Sequence, residues 1–207
     1  MSNNKDWVGT SNSAFKMLGA SNHCADEREE NDFYATDPVA IDYLLSVENF
    51  SEFIWEPCCG QGHLSERLKS FGYKVFNTDI IDRGYQDFNE VLDFLTCDGW
   101  KGNLFQGDII TNPPYKYCSE FIKKSLDVVG NGRKVAMFLK LQTLEGQKRY
   151  QEIFSVHPPK NVYVFVKRVA CGKNGKFDSG SSAVCYAWFV WEKGWKGDTT
   201  LKWINNN

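Results

Sequence analysis

The sequence lacks the features of secreted and membrane proteins. No apolar run approaches the roughly 18 residues that a membrane-spanning helix requires. The first ten residues, MSNNKDWVGT, contain no apolar stretch of the kind found in secretion signals. The sequence therefore predicts a cytoplasmic protein that makes no contact with a membrane.

Patterns that bind metals or form disulfides are also missing. The three histidines, His23, His63 and His157, are scattered, and none stands at ligand spacing from a cysteine. The seven cysteines include no C-x-x-C pair. Because their number is odd and no secretion signal precedes them, we expect reduced thiols rather than a disulfide framework. We expect no metal site.

What the chain does have is a core and an uneven distribution of charge. Its 207 residues are 42% hydrophobic and 15% aromatic, which suits one domain. Residues 1–100 carry 7 Lys and Arg against 18 Asp and Glu, whereas residues 101–207 carry 17 against 8. A basic half favours a polyanionic partner. The alternative is an ordinary solvated surface.

Strand and helix patterns alternate along most of the chain. Residues 1–31 are polar and then acidic, which predicts a flexible arm, and residues 32–207 form one predicted domain. Alternation predicts a parallel sheet with helices on both faces, whose ligands bind beyond the carboxyl ends of the strands where the strand order reverses. Strands are predicted at 51–55, 73–79, 91–95, 105–110, 133–141, 161–169 and 182–191, and helices from 36 or 37 onward and at 64–70, 119–129 and 144–155.

The segment EPCCGQG, residues 56–62, joins a predicted strand to a predicted helix. Glycines at 60 and 62 allow a tight turn and the close approach of a ligand. Glu56 can meet an ammonium group, and Asp79, at the end of the next strand, can accept hydrogen bonds from ribose hydroxyls. Because a third glycine at dinucleotide spacing and a G-K-[ST] sequence are both missing, NAD and ATP are poor fits. The alternative is a plain structural turn.

The segment TNPPY, residues 111–115, predicts a rigid turn at the end of a strand. Proline has no N–H and fixes φ near −65°, and it holds the preceding residue extended. The turn therefore holds Asn112 on one side and Tyr115 on the other in a fixed arrangement. The alternative is a proline-rich turn with a buried tyrosine.

These segments, taken in order, resemble the class I S-adenosylmethionine-dependent methyltransferases. The resemblance is to the amino-methyltransferases of nucleic-acid bases that carry an NPPY motif, and to small phage-type adenine enzymes of the gamma motif order. The matching stretches are DFYATDP (32–38), EPCCGQG (56–62), NTD (77–79), LDFL (92–95), NPPY (112–115) and YAWFVWEKG (186–194).

The resemblance implies a fold and a cofactor. The fold would be a Rossmann-like α/β domain, with a seven-stranded, mostly parallel sheet and a C-terminal antiparallel hairpin strand. The cofactor would be S-adenosyl-L-methionine. The resemblance assigns its methionine part to Tyr34 and Thr36, its amino-acid end to Glu56, Pro57, Gly60 and Gly62, its ribose to Asp79, and its adenine ring to Asp93 and Phe94.

The resemblance also implies a reaction, methyl transfer to the N6 amine of adenine in DNA. Asn112, Pro113, Pro114 and Tyr115 would be the catalytic residues. The Asn112 side-chain oxygen and the Pro113 carbonyl would accept both hydrogens of the planar amine, which favours a pyramidal transition state without a charged base. Tyr115 would offer a flat face to a base taken out of its stack. Phe177 in KNGKFDSG is the candidate for a second wall of the base pocket, with Trp188 or Phe189 as alternatives. The loop cations that would neutralise phosphates are Lys116, Lys140, Arg168, Lys173 and Lys176.

The chain departs from DNA enzymes of the gamma order, because only about a dozen residues follow YAWFVWEKG and no separate target-recognition domain is expected. RNA adenine methyltransferases and enzymes that methylate a glutamine amide in proteins also use NPP-type motifs. Both remain alternatives, as does a non-catalytic binding module that keeps the cofactor pocket.

Overall fold

The computed structural model describes residues 34–169, 171–173 and 184–205. Its strands are β1 (Tyr34–Thr36), β2 (Phe53–Glu56), β3 (Lys74–Asp79), β4 (Glu90–Val91), β5 (Asp108–Thr111), β6 (Lys134–Lys140), β7 (Asn161–Phe165), β8 (Cys171–Lys173), β9 (Tyr186–Glu192) and β10 (Thr200–Ile204). Its helices are α1 (Val39–Leu45), α2 (His63–Ser70), α3 (Cys118–Val128) and α4 (Gln147–Arg149), and α4 continues as a π-helical turn (Tyr150–Phe154). Two 3₁₀ turns lie at Tyr115–Tyr117 and Leu141–Leu144.

Eight strands form one sheet in the order β10-β7-β9-β6-β5-β2-β3-β4. Only β9 runs antiparallel to its neighbours, which are β6 and β7. The chain first builds outward from β2 through β3 to β4, and then returns to the other side of β2 with β5 and β6. The strand order therefore reverses between β2 and β5, which is where sheets of this kind bind ligands.

The predicted count of seven strands is wrong by one. Residues 200–204 form β10, which pairs in parallel with β7 at the edge of the sheet. Four of its five residues are exposed, so the strand carries little of the apolar signal by which buried strands are recognised. A second, two-stranded sheet of β1 and β8 was also not predicted, because its partners lie far apart in the chain, as in the pair Tyr34 and Lys173. The mostly parallel sheet with one antiparallel strand is confirmed.

The core lies on both faces of the large sheet. On one face, α1 and α2 contribute Ile41, Leu44 and Leu68, all fully buried. On the other face, α3 packs Ile122 and Leu126 against the sheet. This apolar spacing of three and four residues is what predicts α3 from sequence. The result is a three-layer α/β/α domain that holds the carboxyl ends of β2, β3 and β5 at one edge.

The described residues contain neither a membrane-spanning helix nor a cluster of metal ligands. No helix in these ranges has the length and apolar character needed to cross a membrane. Within the same ranges, no group of three or more His, Cys, Asp or Glu side chains is placed to hold a metal ion.

Candidate active site

The glycine turn leads from the end of β2 into α2. Gly60 and Gly62 adopt φ values of 55° and 81°, in the left-handed region that glycine tolerates best. The Gly60 N–H donates to Asp79 Oδ2 at 2.9 Å, and the Ile81 N–H donates to Asp79 Oδ1 at 3.2 Å. Asp79 therefore ties the turn after β2 to the end of β3.

Asp79 retains the capacity to bind a ligand. Its residue exposure is 7%, and an ionised carboxylate offers about four lone-pair positions, of which these two backbone bonds use two. A hydroxyl-bearing ligand such as a ribose fits that donor set. Asp79 as the ribose acceptor remains a prediction.

Thr36, on β1, carries a polar atom of the kind that a bound group would satisfy. The residue is 2% exposed, and its Oγ1 has no hydrogen-bond partner among the described residues. Because β1 lies against α2, Thr36 is held beside the helix that begins at the glycine turn. A buried hydroxyl without a partner costs free energy, so a ligand atom that bonded it would be stabilised. Its contact with the cofactor stays a prediction, and only the backbone of Tyr34 is described.

Glu56 points into the protein rather than being exposed at the turn. It is 2% exposed, and its carboxyl group is hydrogen-bonded to the Ser65 hydroxyl, which also contacts the Asn77 side-chain oxygen. Burial, opposed by the Ser65 bond and reinforced by the charge of Asp79, raises the pKa of Glu56 to about 8. The predicted contact with an ammonium group is untested, and the structure gives Glu56 a support role beneath α2. Pro57, next in the chain, is buried.

The two residues expected to hold an adenine ring differ in their exposure. Asp93 is exposed, and its Oδ1 accepts a hydrogen bond from the Leu95 N–H at 3.0 Å. Phe94 is 2% exposed and stacks on Phe121 with ring centroids 5.4 Å apart. Its ring also meets Trp55 edge to face at 5.1 Å. Phe94 thus belongs to the aromatic core, and its stacking on a cofactor remains a prediction.

TNPPY lies at the carboxyl end of β5. All four residues of β5 are buried, and Pro113 is buried after them. Pro114 has φ −55° and ψ 119°, and its carbonyl accepts a hydrogen bond from the Tyr117 N–H at 2.9 Å. The chain therefore leaves the strand extended and then turns sharply, as the two prolines predict. Asn112 and Tyr115 are half-buried at this turn.

The glycine turn and TNPPY lie side by side. β2 and β5 are paired neighbours, with Ile54 opposite Asp108. β2 ends at Glu56, directly before the glycine turn, and β5 ends at Thr111, directly before Asn112. Burial raises the pKa of the Cys58 thiol in the glycine turn, so this thiol adds no charge there. The geometry thus brings both motifs to the point where the strand order reverses.

The candidates for a second aromatic wall of the predicted base pocket lie in different parts of the chain. Phe177 and Lys176 lie outside them, and only the backbone of Lys173 is described. The alternatives Trp188 and Phe189 are both completely buried on β9, so they belong to the core. An aromatic neighbour that sequence reasoning missed is Tyr186, whose ring centroid lies 5.8 Å from that of Tyr115.

The predicted phosphate-binding cations occupy different environments. Lys116 and Arg168 are exposed, and the Lys116 ammonium lies 5.0 Å from the Tyr117 ring centroid. Lys140, the last residue of β6, is half-buried, and its ammonium lies 4.9 Å from the Tyr115 ring centroid. Their binding to phosphate remains a prediction, but Lys140 already contacts the TNPPY turn.

Comparison with known proteins identifies the fold. No family model matches the chain, and no curated protein matches it in sequence. Among solved structures, a protein from Listeria monocytogenes assigned as a class I S-adenosylmethionine-dependent methyltransferase aligns with TM-score 0.57 and 11% identity, over 93% of this chain and 71% of its own. A protein from Pyrococcus horikoshii assigned as an RNA methyltransferase aligns with TM-score 0.53 and 13% identity, over 89% and 99%.

A third solved structure of similar fold is assigned to a different kind of methyl transfer. A protein from Agrobacterium tumefaciens assigned as an O-methyltransferase aligns with TM-score 0.57 and 12% identity, over 81% of this chain and 86% of its own. The chain therefore has the Rossmann-like fold of class I methyltransferases. At these identities the likeness establishes the fold alone, because one fold supports many reactions.

Proposed function

We propose that this protein is an S-adenosylmethionine-dependent methyltransferase acting on the exocyclic N6 amine of adenine in DNA. The observation that carries the proposal is the placement of Asn112–Tyr115 beside the glycine turn, where the strand order of a class I methyltransferase fold reverses. A binding module without catalysis would have no use for a rigid pair of amine acceptors at that point.

The residues around the glycine turn fit the expected cofactor. Gly60 and Gly62 adopt the left-handed backbone that the turn requires, Asp79 offers acceptors to ribose hydroxyls, and Thr36 provides a buried hydroxyl that needs a partner. Asp93 has acceptor capacity left for an adenine amino group. When bound there, S-adenosylmethionine supplies the methyl group for transfer.

The TNPPY residues would act on the amine nitrogen. The lone pair of an exocyclic amine is delocalised into its ring, so the nitrogen must become pyramidal before it can attack. Asn112 Oδ1 and the Pro113 carbonyl would accept its two hydrogens, while Tyr115 supports the flipped base. These acceptors are fixed dipoles and need no change of protonation. Transfer would break the bond between the cofactor's sulfur and its methyl group as the new N–C bond forms, releasing S-adenosylhomocysteine, and the amine would then give up one proton to solvent.

RNA is the second candidate substrate, and one observation favours it. The aligned Pyrococcus horikoshii protein, assigned as an RNA methyltransferase, covers 89% of this chain. The basic second half of the chain suits either polymer. A glutamine amide in a protein poses the same planar-nitrogen problem, but it gives no role to those cations.

One assay tests the proposal. Purified protein is incubated with S-[methyl-³H]adenosylmethionine and, in separate reactions, with DNA, RNA and a protein extract. Digestion and mass spectrometry then distinguish N6-methyladenine from N4-methylcytosine. Label in N6-methyladenine of DNA is the expected result, whereas label only in RNA or protein reassigns the substrate, and label in none of them contradicts the proposal.

The variant Asn112→Ala tests the mechanism in the same assay. We expect transfer to be abolished while binding of S-adenosylhomocysteine is retained. Asn103→Ala is the matched control, because Asn103 is an exposed asparagine on a turn before β5, and it should transfer at the normal rate. Full turnover by the Asn112 variant would exclude the amine-acceptor role.

A further inference from the structure

The Tyr115 ring has two neighbours that come from paired positions on adjacent strands. Lys140 of β6 lies directly opposite Tyr186 of β9 in the register of the sheet. Tyr186 is 9% exposed and stacks on Phe138 with centroids 5.0 Å apart, so the core holds it in place. Lys140 is only half-buried, and a lysine side chain ends in a charge on a flexible stem. Of the two neighbours, Lys140 is the one that can move away.

Lys140 makes a cation–π contact with Tyr115. Its ammonium lies 4.9 Å from the ring centroid, within the range over which such contacts are attractive. A base that stacks on the same ring face displaces the ammonium, because both cannot occupy it. The contact therefore favours the state of the site without a base.

The backbone that follows Lys140 is held in place, so the side chain is the part free to move. Arg149 donates hydrogen bonds from one guanidinium nitrogen to the carbonyls of Gln142, Thr143 and Glu145, at 3.1, 2.8 and 2.6 Å. In the π-helical turn that follows Arg149, Glu152 forms an ion pair with Lys123 of α3 at 2.7 Å. The loop after β6 is thereby fastened beside the segment that follows TNPPY.

We propose that Lys140 covers Tyr115 until a target base arrives, and then turns to the phosphate backbone beside that base. This inference rests on the proposed function and adds to it a residue that couples base entry to the presence of a polyanion. A free nucleoside must displace Lys140 without offering it a partner. A nucleic acid displaces Lys140 and also provides a phosphate to receive it.

The test compares two ligands in the variant Lys140→Met, which keeps the apolar stem and removes the charge. The first is labelled deoxyadenosine, measured by equilibrium dialysis with saturating S-adenosylhomocysteine so that the cofactor pocket is filled. Loss of the cation–π contact should tighten its binding about two- to five-fold. The second is a single-stranded DNA oligonucleotide titrated at several salt concentrations. Its binding should weaken. The slope of log K against log salt should become shallower by the amount that about one phosphate contact contributes.

The opposite signs of these two effects exclude a merely structural role for Lys140. Equal changes in both affinities, or an unchanged or weaker affinity for deoxyadenosine, would overturn the inference. Lys202→Met is the control, since the Lys202 ammonium lies over Tyr163 at 5.6 Å, on the edge strand β10, and both affinities should remain at wild-type values.

The proposed function and the proposed role of Lys140 can be refuted independently of each other. Methyl transfer by the wild-type protein decides the proposed function. The comparison of Lys140→Met with wild type decides the role of Lys140, and it does so by binding alone.

Discussion

The Ser65 hydroxyl lies between the Glu56 carboxyl and the side-chain oxygen of Asn77. The orientation of the Asn77 side-chain amide is fixed by its nitrogen, because Nδ2 donates a hydrogen bond to the Asp87 carbonyl at 2.9 Å. Ser65 has one hydrogen to donate, and it faces two oxygens. The missing hydrogen is provided if Glu56 is protonated, so that Glu56 donates to Ser65 and Ser65 donates to Asn77. This count of hydrogens agrees with the raised pKa of Glu56, about 8.

The first prediction concerns stability against pH. Burial raises the pKa of Glu56 from an ordinary value of 4.5 to about 8 in the folded protein. A raised pKa means that the contribution of Glu56 is complete below pH 4.5 and is lost as pH rises toward 8. Over that range we expect its contribution to the free energy of unfolding to fall by about 1.4 kcal/mol per pH unit.

Urea denaturation of wild type and Glu56→Gln at several pH values measures this contribution. Glutamine keeps a donor for Ser65 and does not titrate, so the stability of the variant relative to wild type should increase as pH rises toward 8. Glu52→Gln is the control, because Glu52 is an exposed glutamate just before β2, and its difference from wild type should not change in this way. A constant difference between wild type and Glu56→Gln would show that Glu56 is ionised throughout.

A second glutamate gives the opposite prediction. Burial alone would raise the pKa of Glu48, but hydrogen bonds from Lys134, Tyr163 and Asn161 outweigh it and hold the pKa below its ordinary value. The stability that Glu48 contributes is therefore present above pH 4.5 and is lost as pH falls below it. The Lys134 ammonium lies 2.6 Å from Glu48 Oε2, and the Glu48 side chain is 8% exposed.

Lys134→Met should lower the free energy of unfolding by about 2 kcal/mol at about pH 7, less than the loss of a fully buried partner. The difference arises because the Lys134 side chain is 22% exposed. Lys74→Met is the matched control, since Lys74 and Glu52 form an ion pair with side chains 62% and 58% exposed. It should cost at most about 1 kcal/mol. Equal losses in the two variants would refute a special role for the Glu48 contacts.

Sequence reasoning succeeded where the local pattern and the tertiary structure agree. The prolines of TNPPY predict their turn because proline geometry is local, and the glycine turn is recognisable from Gly60 and Gly62. The order of strands and helices then brings both motifs to one edge of the sheet. The fold class and the position of the candidate site therefore follow from local patterns and their order along the chain.

What could not be predicted depends on contacts between distant segments. The direction of the Glu56 side chain is set by Ser65 and Asn77, which belong to two other elements. Phe94 joins an aromatic cluster with Trp55 and Phe121, and nothing local distinguishes a core ring from one that lines a pocket. The contact between Lys140 and Tyr115 requires the register of β5 and β6, which one sequence does not reveal.

The third prediction separates backbone strain from steric contact at the glycine turn. Gly62 and Gly72 have similar φ values, 81° and 90°. A Cβ at Gly62 would lie 2.3 Å from the Tyr85 ring, whereas a Cβ at Gly72 would meet nothing within 4 Å. Gly72→Ala should therefore lower the free energy of unfolding only by the cost of placing a Cβ in the left-handed conformation, about 1–2 kcal/mol. Gly62→Ala should cost about 1–3 kcal/mol more, since the ring must shift.

Chemical denaturation of Gly62→Ala, Gly72→Ala, Tyr85→Ala and the Gly62→Ala, Tyr85→Ala double variant measures these costs, with Tyr85→Ala as the reference for the double variant. Removal of the ring should bring the cost of the Gly62 substitution down to that of Gly72→Ala. If the cost at Gly62 is the same with and without the ring, the close packing of Tyr85 on the turn is not what requires glycine there.

The last prediction tests whether Asp79 binds the cofactor in addition to stabilising the glycine turn. Its carboxylate accepts hydrogen bonds from the Gly60 and Ile81 N–H groups, so removing the side chain affects the turn itself. Asp79→Asn keeps one oxygen for the Gly60 N–H but loses the charge and half of the acceptors. A hydrogen bond to a charged group contributes about 1.5–3 kcal/mol, so we expect Asp79→Asn to bind S-adenosylhomocysteine about 10- to 150-fold more weakly by titration calorimetry. Its urea midpoint should fall modestly, because the new amide NH2 faces the Ile81 N–H. Asp79→Ala should lose both affinity and stability. If Asp79→Asn binds at wild-type strength, Asp79 only supports the glycine turn, and the ribose contact belongs to another residue.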